Sequence, residues 1–207
     1  MAGRGLATLA PSFLMSETQK HEKHHVCPVW VGRLMVNPLR KLRQSPRRIL
    51  ASHVAPGMRV LDIGCAMGFF SLPLARLVGP NGRVICVDLQ QKMLDGLRRR
   101  ARRKKLAERI ETRLCATHSL GIADLSGLVD FALAFAVVHE VGDTARLFEQ
   151  IHAVLKPGSR ALVAEPRGRV SDSSFGQSVA TAESQGFAVV GTPRIARSHA
   201  ALLERGR

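Results

Sequence analysis

The residues best suited to chemistry form a short stretch in which an acid is followed by small residues at every second position. The stretch runs from Asp62 to Gly68 and reads Asp-Ile-Gly-Cys-Ala-Met-Gly. Its two glycines let the backbone turn tightly and lie against something bulky, because no Cβ stands in the way. A helical pattern begins at Phe69, so the turn would aim free backbone N–H groups at whatever lies above it. The combination predicts a ligand site beside the carboxylate of Asp62.

The spacing of these small residues argues against a dinucleotide site. A G-x-G-x-x-G loop would need further glycines at the positions that Ala66 and Phe69 occupy. We therefore do not expect a nicotinamide cofactor at this turn.

Other residues suited to chemistry follow later strand-like runs. Asp88 ends the second run, where a carboxylate can accept hydrogen bonds from ribose hydroxyls, although it could instead cap the next helix. His139 and Glu140 follow the fourth run, and Glu165 ends the fifth. Any of these three could serve as a general base if the reacting atom of a substrate carries a proton. His139 could also be a structural residue that fixes its loop.

Alternating strand and helix patterns would bring these residues together. After a first helix from Pro46 up to Pro56, apolar runs and helical stripes predict five strand–helix units and a terminal pair of strands. The predicted strands span 58–63, 83–88, 109–115, 128–138, 160–165, 188–191 and 195–203. The Lys-Pro-Gly run at 156–158 is expected to close a helix ahead of the fifth strand. Parallel strands open on one side of such a sheet, so the chemical residues should surround one crevice.

This ordered set resembles the class I S-adenosylmethionine-dependent methyltransferases, and the Cys-Pro-Val-Trp run at 27–30, followed by Asn-Pro-Leu-Arg at 37–40, resembles a group of their short bacterial members. The resemblance is carried by the turn from Asp62 to Gly68, the acid at Asp88, the Phe-Ala-Leu-Ala-Phe strand at 131–135 and the Leu-Lys-Pro-Gly turn at 155–158. It implies an α/β fold with a seven-stranded Rossmann-like sheet, helices on both faces and a terminal antiparallel β-hairpin. It also implies S-adenosylmethionine as the cofactor and methyl transfer as the reaction.

The resemblance assigns candidate site residues as well. The candidates for cofactor binding are Asp62, Gly64, Cys65, Ala66, Gly68, Asp88, Leu89, Thr117 and Phe135, and the catalytic candidate is His139. The chain departs from the family at two places. Ala66 stands where the family usually has glycine, and Ala116-Thr117-His118 stands where related enzymes often carry an acid that binds the adenine amino group. Thr117, His118 or backbone groups would have to take the place of that acid. No metal is expected, because the histidines and cysteine within 21–27 do not have the spacing of a zinc module.

Composition limits the partners and the compartment. The chain has 207 residues and a formal net charge of +15, with its densest basic run at Arg98 to Lys105. This run could bind nucleic acid, but a solvated surface is preferred because aromatic residues, which would stack on bases, make up only 4% of the chain. Scattered cysteines and the absence of a bilayer-length apolar run predict a cytoplasmic protein without a transmembrane segment. The oligomeric state is left open.

Three parts are expected along the chain: a poorly ordered extension over 1–20, a cap over 21–44 and the methyltransferase domain over 45–207. A short cap without an inserted substrate domain favours a small-molecule methyl acceptor. Two alternatives stay open, namely methyl transfer to RNA or another acidic macromolecule, and cofactor binding without catalysis. A narrower alternative is a soft acceptor such as trivalent arsenic, held by thiolates, although only Cys27 lies in the cap.

Overall fold

The computed structural model describes residues 45–206, so the predicted extension at 1–20 and cap at 21–44 lie outside the described residues. The helices α1 to α5 span Pro46–Leu50, Ser71–Leu77, Gln91–Arg103, Thr144–Val154 and Asp172–Ser184. The strands β1 to β7 span Arg59–Ile63, Arg83–Asp88, Ile110–Leu114, Val129–Phe135, Leu155–Pro166, Phe187–Gly191 and Ser198–Arg205. Within this part of the chain, no helix has the length and apolar character needed to cross a membrane.

The strands form one seven-stranded sheet in the order β3-β2-β1-β4-β5-β7-β6. Strands β1 to β5 pair in parallel, whereas β7 lies antiparallel between β5 and β6. The predicted α/β fold with a terminal antiparallel hairpin is therefore confirmed. The strand order reverses between β1 and β4, which is where open α/β sheets bind their ligands. The crevice is thus expected beyond Ile63 and Phe135, the last residues of these two strands.

The central strands are apolar at nearly every position because helices cover both faces of the sheet. Successive residues of β1 point to opposite faces, so Val60 belongs to one buried cluster and Leu61 to the other. Helical residues buried on the first face include Leu50, Leu74 and Leu94, and those on the second include Phe148, Ile151 and Ala182. Helices α1 to α3 therefore cover one face, and α4 and α5 cover the other.

Polar residues cap the N-termini of two of the helices. The backbone N–H of Arg146 donates to Asp143 Oδ1 at 2.9 Å, which makes Asp143 the N-cap of α4. The backbone N–H of Ser174 donates to Ser171 Oγ at 3.1 Å at the start of α5. Each bond satisfies an N–H group that has no acceptor within its own helix.

Two predicted boundaries are wrong. Helix α1 ends at Leu50 and does not continue towards Pro56, because the chain enters a turn in which the backbone N–H of His53 donates to the carbonyl of Leu50 at 2.9 Å. The Lys-Pro-Gly run at 156–158 lies inside β5, which begins at Leu155 directly after α4. The pairing of β5 with β4 shifts there, from Val129 opposite Leu155 to Phe131 opposite Arg160. Residues 156–159 therefore form an irregular bulge within the strand.

Candidate active site

The carboxyl ends of β1, β2, β4 and β5, with the segments that follow them, surround a cavity of about 420 Å³. Its size is that of a small-molecule site. The predicted site residues that line it are Gly64, Ala66, Asp88, Leu89, Thr117, Phe135 and His139. The lining does not include Asp62, Cys65 or Gly68. Of the residues predicted at the turn after β1, Gly64 and Ala66 therefore line the cavity, and the other three do not.

The two glycines of this turn are required by neighbouring side chains. Gly64 has a φ of +65°, and a Cβ there would lie 2.6 Å from Val137 Cγ2. Gly68 has a φ of +80°, and its added Cβ would overlap Cδ1 of Leu97, a buried residue of α3. The bulky groups that approach these glycines in the structure are thus side chains of the protein itself.

Two alanines beside the cavity adopt the left-handed backbone conformation that favours glycine. Ala66 has a φ of +46° and Ala136 a φ of +58°, and both line the cavity. An L-residue with a side chain pays about 1–2 kcal/mol for this conformation. Such strain persists only where surrounding contacts hold it, and it clusters at binding sites. The backbone at Ala66 thus has the conformation that glycine would adopt, in spite of the added methyl group.

Asp88 holds the strained turn from the end of β2. Its Oδ2 accepts the backbone N–H of Ala66 at 2.9 Å, and its Oδ1 accepts that of Gln90 at 2.8 Å. The N-cap of α3 is Gln90, so Asp88 is not the helix cap that the sequence left open. Burial raises the pKa of Asp88 above its usual value. A carboxylate has about four acceptor positions, so two are left for a ligand on the cavity side.

Asp62 lies beneath the turn and is 3% exposed. Its Oδ2 accepts a hydrogen bond of 2.5 Å from Ser71 Oγ, in the first turn of α2. Burial raises the pKa of Asp62 to about 7, and the nearby charge of Asp88 acts in the same direction. This carboxyl group therefore connects the end of β1 to α2 without touching the cavity.

A histidine–glutamate pair lies at the exit of β4. Glu165 is 1% exposed, and its Oε1 accepts the backbone N–H groups of Val137 at 3.0 Å and Val138 at 2.8 Å. Its Oε2 is hydrogen-bonded to His139 Nδ1. This bond is the main cause of a raised pKa at His139. Both Glu165 oxygens are thus engaged, so Glu165 orients the imidazole and is not itself placed as a base.

The second ring nitrogen of His139 has no hydrogen bond within residues 45–206. Nε2 lies 3.9 Å from Glu140 Oε1, beyond hydrogen-bonding distance. The His139 side chain is 20% exposed and lines the cavity. An imidazole held at Nδ1 by a carboxylate and open at Nε2 is the arrangement that proton transfer from a substrate requires.

The thiols of the described residues are poorly suited to bind a soft acceptor. Burial raises the pKa of Cys65 well above its usual value, and Cys86 is buried as well. Cys115 lines the cavity, but burial raises its pKa to about 11, so its thiol stays protonated at neutral pH. No cluster of three metal-ligating side chains occurs within residues 45–206. Cys27 lies outside that range.

The far side of the cavity is closed by the segment after β3. Thr117 and Ser119 line the cavity there, and the backbone N–H of Leu120 donates to Gln150 Oε1 at 2.8 Å. Gln150 Nε2 in turn donates to the carbonyl of Arg146 at 3.1 Å. Gln150 thus ties this segment to α4. Sequence reasoning missed Gln150, since nothing in the pattern of an exposed helix face marks a residue that connects its helix to a distant loop.

Sequence reasoning also missed two arginines that line the cavity, Arg146 and Arg169. Both follow the carboxyl end of a strand, β4 for Arg146 and β5 for Arg169. That placement was a usable signal, because the same rule identified Asp88 and His139.

Part of the basic run from Arg98 to Lys105 has local structural roles. Arg98 Nε donates to Thr112 Oγ1 at 2.7 Å, and Arg100 donates to the carbonyl of Met67 in the turn after β1. The exposed residues of the run are Arg99, Arg102, Arg103, Lys104 and Lys105. The run therefore both braces the turn and presents a basic surface.

Comparison with known families decides the classification. Residues 55–193, more than half of the 207-residue chain, match the family described as methyltransferase domain. The chain belongs to the methyltransferase domain family. Its sheet order and terminal hairpin agree with this membership. The resemblance to the class I S-adenosylmethionine-dependent methyltransferases, which the sequence indicated, is confirmed.

Relatives of this methyltransferase-domain protein differ in what they act on. It is 36% identical over 112 residues to the arsenite methyltransferase of Halobacterium salinarum, covering 54% of this chain and 28% of the relative. It is 31% identical over 117 residues to the demethylmenaquinone methyltransferase of Symbiobacterium thermophilum, covering 56% of this chain and 46% of the relative. The matched regions thus span less than half the length of either relative.

A solved structure supports the fold over a wider range. The crystal structure of an S-adenosylmethionine-dependent methyltransferase from Aquifex aeolicus superposes with a TM-score of 0.76 at 19% identity. The match covers 86% of this chain and 97% of that one. At this identity the likeness concerns the fold of the methyltransferase-domain protein and not its acceptor.

Proposed function

We propose that this protein transfers a methyl group from S-adenosylmethionine to a nucleophilic atom of a small molecule. The observation that carries the proposal is that one cavity joins two features: the strained turn held by Asp88 and the imidazole held by Glu165. The first feature suits a nucleoside, and the second suits proton transfer. Membership in the methyltransferase domain family supports the same reaction.

The residues of the cavity fit the proposed cofactor. Asp88 has two acceptor positions left for ribose hydroxyls, and Leu89, Met93 and Val87 supply an apolar surface for the adenine ring. Gly64 and Ala66 would contact the methionine part, with Phe135 as the opposite wall. Gly68, Cys65 and Asp62 would act indirectly, through the shape of the turn. S-adenosylmethionine supplies, when bound, a methyl carbon on a positively charged sulfur, which a nucleophile can displace.

His139 is proposed as the general base. Its Nε2 takes the proton of an acceptor hydroxyl, thiol or amine as the nucleophile gains the methyl group. Glu165 keeps Nδ1 protonated, fixes the plane of the ring and stabilises the imidazolium that results. Because Glu165 raises the pKa of His139, a larger share of the imidazole is protonated near neutral pH. The rate should therefore rise with pH until His139 is neutral.

A small acceptor suits the cavity better than a macromolecule. The volume of about 420 Å³ is that of a small-molecule pocket, and the relatives named for an acceptor act on arsenite and on demethylmenaquinone.

We propose that the protein works in the cytoplasm, where Cys65, Cys86 and Cys115, which are free thiols, would stay reduced. Nucleic-acid binding through Arg98 to Lys105 remains the second candidate, favoured only by the exposed cations of that run.

Calorimetric titration with S-adenosylmethionine and with S-adenosylhomocysteine tests the cofactor directly. We expect binding in the micromolar range by the native chain and its loss in Asp88→Ala, because the substitution removes both the ribose acceptor and the brace of the turn. Asp95→Ala is the matched control. Asp95 lies on α3, contacts Gln91 and Arg98 and does not line the cavity, so this variant should bind normally.

Two results would change the assignment. If the folded native protein binds neither compound, the result would favour the alternative in which the cofactor site has been lost because of Ala66. Normal binding by a folded Asp88→Ala variant would show that Asp88 does not hold the ribose. Fluorescent RNA titrated at several salt concentrations tests the second candidate, for which affinity should fall steeply as salt rises.

A further inference from the structure

Two arginines of the cavity wall have no assigned role in the proposed reaction. Arg146 and Arg169 are exposed and line the cavity. Neither guanidinium group forms a hydrogen bond or an ion pair within residues 45–206. By contrast, Arg167 in the same loop as Arg169 is paired, since its guanidinium lies 3.5 Å from Asp172.

The position of Arg146 is electrostatically unfavourable for the fold. It is the third residue of α4, which begins at Thr144, and the N-terminal end of a helix carries partial positive charge. Acidic residues stabilise this position and cations destabilise it. The backbone here is nevertheless fixed, by the cap bond to Asp143 at 2.9 Å and by the bond from Gln150 at 3.1 Å. A cation is therefore held at the cavity edge at some cost to the helix.

The loop that carries Arg169 is also fixed. The backbone N–H groups of Arg169 and Val170 both donate to the carbonyl of Pro166, at 2.9 and 3.0 Å. His199 Nε2 forms a 2.9 Å hydrogen bond with the carbonyl of Val170 from the neighbouring strand β7. The stem of Arg169 thus starts from an ordered backbone, which lowers the cost of placing its guanidinium group against a ligand.

Sheet order assigns Arg169 to one half of the cavity. Asp88 ends β2 and Arg169 follows β5, and three strand spacings, about 14 Å, separate these strands in the order β2-β1-β4-β5. His139, which follows β4, lies on the same side as Arg169. Arg169 is close enough to lower the pKa of both His139 and Glu140 electrostatically. Arg169 therefore belongs to the acceptor half, beyond the region proposed for the nucleoside, and Arg146 lines the same cavity from the first turn of α4.

We propose that the methyl acceptor has an apolar body and a carboxylate, and that Arg169 and Arg146 bind this carboxylate. The inference rests on the proposed function. Guanidinium groups present paired N–H donors that match the two oxygens of a carboxylate. The body would lie against the apolar lining residues Val137, Val141 and Leu147.

The acceptor's nucleophilic hydroxyl is held at His139 Nε2 in this arrangement. As the bond from the hydroxyl oxygen to the methyl carbon forms, the carbon–sulfur bond breaks and its electron pair stays on sulfur. The hydroxyl proton moves to His139 Nε2. The products are a methyl ether that retains its carboxylate, S-adenosylhomocysteine and an imidazolium ion.

Matched acids and esters test the carboxylate. The 2-, 3- and 4-hydroxybenzoates and their methyl esters are titrated calorimetrically into the native chain at physiological salt, with and without saturating S-adenosylhomocysteine. At least one acid should bind about tenfold more tightly than its ester, as expected for a charge-assisted pair. Arg169→Gln and Arg146→Gln should each reduce that ratio about threefold or more, whereas the control Arg167→Gln should leave it unchanged.

The inference is overturned if no acid binds at millimolar concentration, if acids and esters bind equally, or if Arg167→Gln has the same effect as Arg169→Gln. Tighter binding of 4-hydroxybenzylamine than of 4-hydroxybenzoate would also overturn it, and would assign the site to a cation through Glu140. The S-adenosylhomocysteine titration is read separately. Preference for the acid without binding of S-adenosylhomocysteine would reject the proposed cofactor and keep the carboxylate site.

Discussion

The backbone N–H of Ala66 donates a hydrogen bond of 2.9 Å to Asp88 Oδ2, so the end of β2 holds the left-handed turn that follows β1. Asp88 is also the residue proposed to bind the ribose. The conformation of the turn and the affinity for the cofactor therefore depend on one carboxylate. Changes on either side of this bond should affect both properties.

Ala66→Gly should stabilise the protein. Relief of the left-handed strain gains about 1–2 kcal/mol and the more flexible unfolded chain costs about 0.4–1 kcal/mol, so a net gain of up to about 1.5 kcal/mol is expected. Urea unfolding measures the change. Ala51→Gly is the control, because Ala51 has a φ of −62° and gains nothing from glycine. An equal loss of stability in both variants would contradict the strain at Ala66.

Gly68→Ala should destabilise the protein by about 1–3 kcal/mol more than Gly57→Ala, as expected for overpacking of a filled site. The two glycines have similar φ values of +80° and +85°, so the backbone cost is nearly the same in both variants. They differ in space, since an added Cβ meets Leu97 at position 68 and nothing within 4 Å at position 57. Equal midpoints in urea would show that the turn can move away from α3.

Glu165→Gln should lower the pKa of His139 towards its ordinary value, because the hydrogen bond that His139 Nδ1 donates to Glu165 is the main cause of the rise. Histidine ring signals followed by NMR against pH measure this without an acceptor. Glu140→Gln, at the longer distance of 3.9 Å, should have a smaller effect. An unchanged His139 titration in Glu165→Gln would remove the orienting role of Glu165.

The same pair predicts how stability depends on pH. His139 has a folded-state pKa above its unfolded value of about 6.5, so the folded state binds its proton more tightly. The stabilising contribution is complete below pH 6.5 and is lost as the pH rises through the folded-state pKa. Urea midpoints of the native chain and of His139→Gln should therefore converge at higher pH. A constant difference between them across that range would contradict the linkage.

Asp62→Asn should remove a second dependence of stability on pH, with the same sign. Burial raises the pKa of Asp62 from 3.8 to about 7, so the folded state binds a proton that the unfolded state has already lost. Stability should fall as the pH rises from about 4 to 7, because the carboxylate must then ionise in a buried position. Asp62→Asn should flatten this part of the curve. Equal slopes in both proteins would show that Asp62 ionises normally.

The sequence was sufficient to predict most strands and the residues at their ends. Apolar runs bounded by Pro-Gly and Gly-Pro-Asn-Gly identified β1 and β2, and the carboxyl-end rule led to Asp88 and His139. Periodicity could not predict the order of the strands, because it is the same for several α/β topologies. The resemblance to the methyltransferases implied a seven-stranded sheet with a terminal hairpin, which is confirmed, and the order of its strands is known from the structure.

Other features of the site depend on contacts between distant segments, which no local pattern encodes. The need for glycine at 68 comes from Leu97, and the orientation of His139 comes from Glu165 on a different strand. Asp62 looked like a ligand of the cavity because it lies near the end of the central strand, but its side chain turns towards Ser71. The bulge at 156–159 was missed because a Pro-Gly pair is typical of a turn outside a strand.

Strand β7 spans Ser198–Arg205 and pairs with β5 on one side and β6 on the other. During synthesis on the ribosome, β5 and β6 are both made before the strand that joins them. One edge of β5 therefore stays unpaired until residues 198–205 have emerged from the exit tunnel. An incomplete chain exposes a hydrogen-bonding edge over Arg160–Pro166, which gives nascent and truncated forms a site for misassociation.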